Sequence, residues 1–293
     1  MSEDAGRLPP RPAPALSPQE AAARKQAREI KDAQVRGVES IAGMRDAICQ
    51  AARALPAITS VARVGPMSGA AFRARAGEGL PFLITGVARR WPLFAFTLQQ
   101  LRERFGAVPV RARVGDYVGT AFAADRAMRD MSMGAYLDLV ADGGGDLPPY
   151  LGNLELRELN AMCHWPAYFD KMGPPRFWIG PAGTVTPLHC DYDDNVFAQL
   201  WGSKRIFLAP PHHDAFLYPR EANAILFGSP FDPELPDYER FPLARQAAMV
   251  EVIVAPGEML YVPAGWYHQV RALTFSLSCN RWARAQPLAL RHG

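Results

Sequence analysis

At 293 residues, 49% of them apolar, the chain is long enough to bury one large core or two small ones. Its 32 Lys and Arg and 29 Asp and Glu leave a formal net charge of +3 spread along the sequence, which excludes the basic stripe of a nucleic-acid binder. Cys49, Cys163, Cys190 and Cys279 form no C-x-x-C pair, which argues against a disulfide framework or thiolate zinc site. No signal segment and no apolar run of roughly 18 to 20 residues is present, so a cytoplasmic protein is expected.

Residues 1–16 hold Pro9, Pro10, Pro12 and Pro14 and few large apolar groups, and are expected to be a disordered tail. At Ser17-Pro18-Gln19-Glu20 a Ser cap, a Pro at the first helical position and a Glu three residues after the cap form a capping box. The helix predicted from there runs to about Leu55, with breaks near Gly37 or Gly43, and Pro56 stops it. Ile30, Val38, Ile41 and Ile48 make only a thin apolar stripe, so residues 17–57 are expected to pack outside the main domain or to meet a partner. The main domain is expected over 58–285, followed by a short tail, 286–293. Within it, residues 81–87 read as a buried strand, and Thr97 caps a short helix ending near Gly106. A second short helix is predicted from Ser132 to about Ala141, ahead of three glycines.

The C-terminal half is denser in strand signals: 176–180, 188–191, 196–201, 204–209, 250–254, 259–262 and 268–282, separated by Gly- or Pro-containing turns. Regularly spaced short strands suggest an all-β sandwich or barrel. In the last run Leu273, Phe275, Leu277 and Cys279 alternate with Thr274, Ser276, Ser278 and Asn280. The polar face is expected to look into a lumen and the apolar face to pack against helices.

His189 and Asp191 are two residues apart, so on a strand both side chains point the same way. With His268 they would make the two-His, one-carboxylate set of a non-haem Fe(II) site. His-x-Asp alone is weak, because a lone His is more often structural. Lys204 opens a strand after the Gly202-Ser203 turn; directed into a barrel it needs an anion, whereas on its own it reads as exposed at a hairpin tip. His212, His213 and Asp214 suggest a second metal site only faintly and are expected in an exposed loop. His164 reads as a packing or surface residue. Cys190 is turned from the metal by alternation, and Tyr192 and Tyr267 flank the triad as candidates for a substrate entrance.

The stretch 186–211 (TPLHCDYDDNVFAQLWGSKRIFLAPP), the segment Pro236–Pro242, the run PGEMLYVPAGWYH at 256–268 and Asn280-Arg281-Trp282 together resemble the JmjC (cupin-like) family of Fe(II)- and 2-oxoglutarate-dependent oxygenases. Within it they are most similar to the asparaginyl hydroxylase that inhibits hypoxia-inducible factor. The resemblance covers residues 60–283 in outline and is specific mainly over 176–282. It implies a mainly β fold with flanking helices around a double-stranded β-helix, or jelly-roll, core. It implies Fe(II) held by His189, Asp191 and His268, and 2-oxoglutarate as cosubstrate with O2. Lys204 matches the partner of the distal carboxylate of 2-oxoglutarate, Thr186 and Tyr150 its hydrogen-bonding helpers, Asn195 and Asn280 polar residues near its chelating end, and Trp282 an aromatic beside the site.

The expected reaction is hydroxylation of a protein or peptide side chain, with release of succinate and CO2. N-demethylation, the same chemistry on a small molecule or modified nucleotide, and a non-catalytic cupin-like binding module stand as alternatives. No counterpart of that relative's substrate-gripping glutamine is found between Arg220 and Asp232, and little sequence follows Trp282 to build its dimerisation helices. Substrate and oligomeric state, a homodimer included, are therefore left open.

Overall fold

The computed structural model describes residues 41–121, 126–141, 143, 147–169, 172–223 and 226–283. By internal contacts the chain divides into Met1–Gly43 and Met44–Gly293, and the strands and the cavity they enclose belong to the second unit. The expected tails at 1–16 and 286–293 and the helix over 17–40 lie outside the described residues. The helix Ile41–Ala52 (α1) is present and stops ahead of the expected Leu55, in a turn in which the Leu55 amide donates to the Ala52 carbonyl.

Eight strands form the central sandwich: Arg176–Gly180 (β1), Val185–Asp191 (β2), Asp194–Trp201 (β3), Lys204–Ala209 (β4), Val250–Val254 (β5), Met259–Val262 (β6), Tyr267–Ala272 (β7) and Ser276–Ala283 (β8). One sheet contains the order β6-β3-β8-β1 and the other β2-β7-β4-β5, with every one of these neighbours antiparallel. Short strands extend them: Ala62–Val64 and Phe82–Ile84 beyond β6, Leu151–Leu154 beyond β1, and Arg220–Asn223 with Leu226–Gly228 beyond β2. A separate ribbon pairs Pro109–Arg113 with Met128–Ser132. This is the expected mainly β, jelly-roll architecture with few helices.

Alternation sorts the side chains between two environments. On β6, Met259 and Tyr261 join the large core on the outer face of the first sheet, whereas Leu260 and Val262 join a smaller cluster with Phe197, Ile206 and Leu208. On β8, Leu277 and Cys279 enter the large core while Ser276, Ser278 and Asn280 are buried on the opposite face. The polar face of that run therefore does look inward. Its predicted extent needs correction, because residues 268–282 are not one strand. Leu273, Thr274 and Phe275 form the turn from β7 to β8, held where the Leu273 amide donates to the Ser203 carbonyl and the Ser203 amide to Thr274 Oγ1. The alternating pattern runs through this turn, so periodicity alone gave no break.

The two short helices form as expected. Leu98–Phe105 (α2) starts with a complete capping box between Thr97 and Gln100, and Met133–Leu139 (α3) is capped by the Ser132 hydroxyl, which accepts from the Ala135 amide. Leu101, Phe105, Met133 and Tyr136 carry these helices onto the large core.

Leu277 is fully buried there, on the face of β8 away from the polar lumen. Leu277→Ala is expected to lower the unfolding free energy by about 2–5 kcal/mol, read as a lower denaturant midpoint, with the slope of the transition unchanged.

Candidate metal and cosubstrate site

β2 and β7 build the centre of the site. Across this antiparallel pair Cys190 faces Tyr267 and His189 faces His268, and the two imidazole centroids are 4.2 Å apart. Asp191, two residues on from His189, shares its face, and ligating atoms of His189, Asp191 and His268 all lie within 4.8 Å of one another. Thr186 has the opposite parity on β2 and would ordinarily point away. The register shifts, however, so that Thr186 faces Val270, setting three steps along β2 against two along β7. This bulge at Pro187-Leu188 resets the alternation and brings Thr186 onto the wall that His189 occupies; a proline, with no N–H to leave unpaired, suits it.

The histidines are set up alike. Nδ1 of His189 lies 2.7 Å from the Pro187 carbonyl oxygen, and Nδ1 of His268 lies 3.0 Å from that of Trp266. A carbonyl only accepts, so each Nδ1 bears the proton and each Nε2 keeps its lone pair for a cation. Burial, reinforced by His268, pulls the pKa of His189 down to about 4, which keeps its imidazole neutral at physiological pH. The Trp282 indole donates to Asp191 Oδ2 at 2.9 Å, fixing the carboxylate's orientation and leaving its other oxygen for a metal.

Lys204 is 1% exposed. Its Nζ donates to Ser278 Oγ at 2.8 Å and lies 5.3 Å from the Phe197 ring centroid and 5.9 Å from that of Tyr150. No carboxylate pairs with it among the described residues, and burial lowers its pKa to about 7. An ammonium with three donors and one acceptor, deep in a cavity, is the structural complement of a ligand carboxylate. The Tyr150 hydroxyl is hydrogen-bonded to Thr186. Asn280 Nδ2 donates to Asn195 Oδ1 at 2.9 Å, and Asn280 Oδ1 has no partner.

All nine residues singled out in the sequence, Tyr150, Thr186, His189, Asp191, Asn195, Lys204, His268, Asn280 and Trp282, line one cavity of about 460 Å³ including its mouth. Ser278 and Phe197 were not singled out as site residues. Both were recoverable from strand alternation, since Ser278 precedes Asn280 and Phe197 follows Asn195 by two.

Two expectations fail. Tyr192 and Tyr267 do not line the cavity: both are buried, and Tyr267 Oη donates to Asp214 Oδ1 at 2.6 Å on the other side of the sheet. Residues 212–214 are not an exposed loop. They lie in a short helix, Pro211–Leu217, where Asp214 is 6% exposed and accepts from both Arg45 and Tyr267. Those bonds leave no reason to invoke a metal, and among the described residues only His189, Asp191 and His268 cluster as one would require. His164 is on the surface and Cys190 is buried outside the cavity wall.

Residues 69–288 match the family profile described as a cupin-like domain. Among known proteins, the chain is similar to Lysine-specific demethylase JMJ30 of Arabidopsis thaliana, 39% identical over 133 residues covering 45% of this chain and 27% of that protein. Lysine-specific demethylase 8 of Danio rerio is 29% identical over 213 residues, 69% of this chain and 52% of its own length. The human protein named bifunctional peptidase and (3S)-lysyl hydroxylase JMJD7 is 28% identical over 242 residues, 69% of this chain and 76% of its own length. The chain thus spans about a quarter of the Arabidopsis relative and half of the zebrafish one.

Two outcomes are expected. Trp282→Phe removes the donor to Asp191 while keeping an aromatic ring, and should weaken Fe(II) binding by about 10-fold or more in anaerobic titration. Lys204 titrates near 7 when folded against 10.5 for the free group, so between those values the unfolded chain holds the extra proton and stability rises with pH. Lys204→Met should therefore stabilise the ligand-free protein against denaturant, by more near pH 6 than near pH 10.

Proposed function

The chain belongs to the cupin-like domain family, and on that premise we propose that it is a JmjC-type dioxygenase that hydroxylates a protein or peptide side chain. JmjC members use Fe(II), 2-oxoglutarate and O2; together these supply oxidation of a substrate C–H bond, with 2-oxoglutarate converted to succinate and CO2. The observation that carries the reading is the pairing, in one cavity, of a two-His, one-carboxylate cluster with a buried lysine that has no carboxylate of its own.

In this reading His189, Asp191 and His268 hold the metal. The carbonyls of Pro187 and Trp266 fix the imidazole tautomers, and Trp282 fixes the carboxylate. Three protein ligands leave positions open for a chelating cosubstrate and for O2. Lys204 anchors the distal carboxylate of 2-oxoglutarate, with Tyr150 and Thr186 beside it, and Asn195 and Asn280 offer polar contacts near the chelating end. Phe197, Ile206, Leu260, Val262 and Val270 keep water from the chain of the cosubstrate and hold the effective dielectric low around the Lys204 ion pair.

The three relatives described above all carry lysine in their names, which makes a lysine side chain the first substrate to try. Demethylation is the second reading, favoured by the two relatives named as demethylases. A cytoplasmic setting accords with four cysteines that are free thiols.

Anaerobic protein with Fe(II) is expected to bind 2-oxoglutarate and, with O2 and a peptide substrate, to release succinate; a chelator should abolish this. Lys204→Ala should lose 2-oxoglutarate binding while retaining the metal. Because the anion needs the charged ammonium, affinity should fall by up to about tenfold per unit as pH rises above the ligand-free protein's lysine value of about 7. Unchanged binding in Lys204→Ala would sink the assignment. Mass spectrometry separates the two readings: gain of one oxygen marks hydroxylation, loss of a methyl group demethylation.

A further inference from the structure

Arg113 ends the strand Pro109–Arg113, and its backbone exchanges two hydrogen bonds with Tyr150, at 2.8 and 3.0 Å. The side chain is only 6% exposed. Its guanidinium carbon lies 5.6 Å from the Tyr150 ring centroid, and Nε has no partner. Among the described residues no carboxylate pairs with this guanidinium. Burial lowers its pKa, Tyr150 opposes that shift, and the next influence, Arg126, is itself positive and adds to it. Room for the group is built into the neighbouring strand: at Gly152 a Cβ would stand 2.8 Å from the guanidinium carbon.

A buried, uncompensated cation is costly, and a neutral side chain of similar length would fill the same space without that penalty. Lys204, likewise buried and without an acid partner among the described residues, lies 5.9 Å from the same Tyr150 ring. Two buried basic groups without an acid partner therefore converge on one cavity-lining tyrosine. A ligand that ends in a carboxylate supplies the missing negative charge to both.

Resting on the cosubstrate reading above, we propose that Arg113 is a specificity-determining positioning residue: acting through Tyr150 and alongside Lys204, it makes that end of the cavity selective for a 2-oxo acid with a distal carboxylate. Arg113 does not line the cavity; its charge is also felt at His189, beside the chelating head, so its selective effect is read from the ratio of ligands that share that head and differ in the tail.

The test uses the full chain with Fe(II) under anaerobic conditions and two probes, 2-oxoglutarate and 2-oxopentanoate, which share the chelating head and differ in having a carboxylate or a methyl group at the far end. Arg113→Met is expected to weaken 2-oxoglutarate by about tenfold or more, to weaken 2-oxopentanoate far less, and so to shrink the ratio of the two affinities. Arg113→Lys keeps the charge and should retain most of that ratio. Equal weakening of both probes in Arg113→Met would reveal a packing role and overturn the inference, as would an unchanged ratio. Wild-type protein that binds neither probe overturns the cosubstrate reading itself, and this inference with it.

Discussion

The antiparallel register of β2 against β7 sets His189 directly opposite His268, and the rest of the cavity depends on it. The side-chain period of a strand is two, so a slip of one residue would turn His268 to the outer face and bring Tyr267 or Gln269 inward. Several features hold the register. β7 is sandwiched between β2 and β4, with His268 facing Leu208 on the far side. Gly265, at φ +83, makes the turn into β7, and its amide donates to the Asp191 carbonyl. Behind the sheet, Tyr267 is tied to Asp214, which Arg45 of α1 also grips. A hydrogen-bonded network on the outer face thus fixes the strand whose inner face carries a metal-ligand candidate.

The same layer accommodates opposite demands. The outer face of the first sheet carries the large apolar core, while the lumen between the sheets holds Lys204, Asn195, Asn280, Ser278 and the triad. Burying these groups weakens the fold, and the local hydrogen bonds recover only part of the loss: Lys204 retains one acceptor, and Asn280 Oδ1 none. A cavity of this kind is stabilised by the ligands it is shaped for, because a molecule that binds only the folded state adds its binding free energy to stability.

Much of this was legible in the chain itself. His189 and Asp191 share a face because they are two apart. The Ser276, Ser278 and Asn280 series had to face away from Leu277 and Cys279, and Thr97 and Ser132 had to cap helices, because each follows from local geometry. The resemblance of the motifs over 186–282 to the JmjC family pointed to eight of the nine cavity residues, and Tyr150 was matched from outside those motifs; spacing alone offered only His189, Asp191 and a downstream histidine.

Other features were decided only when strands met. Thr186 has the wrong parity for the cavity until the bulge at Pro187-Leu188, and a bulge is defined by two strands in register, not by one. Tyr267 and Asp214, separated by more than fifty residues, became partners across a face that no periodicity distinguishes from a cavity wall. The turn at 273–275 hid inside an unbroken alternation until Ser203 supplied its hydrogen bonds. Arg113 lies far upstream of the motifs, and only the pairing of its strand with Tyr150 carries its charge to the site. The sequence by itself determined that His189 and Asp191 share a strand face and that Ser278 and Asn280 face away from Leu277 and Cys279, because those relations are local; the tertiary structure brought His268 opposite His189, turned Thr186 to the cavity and decided which charges go unmatched, because those depend on residues distant along the chain.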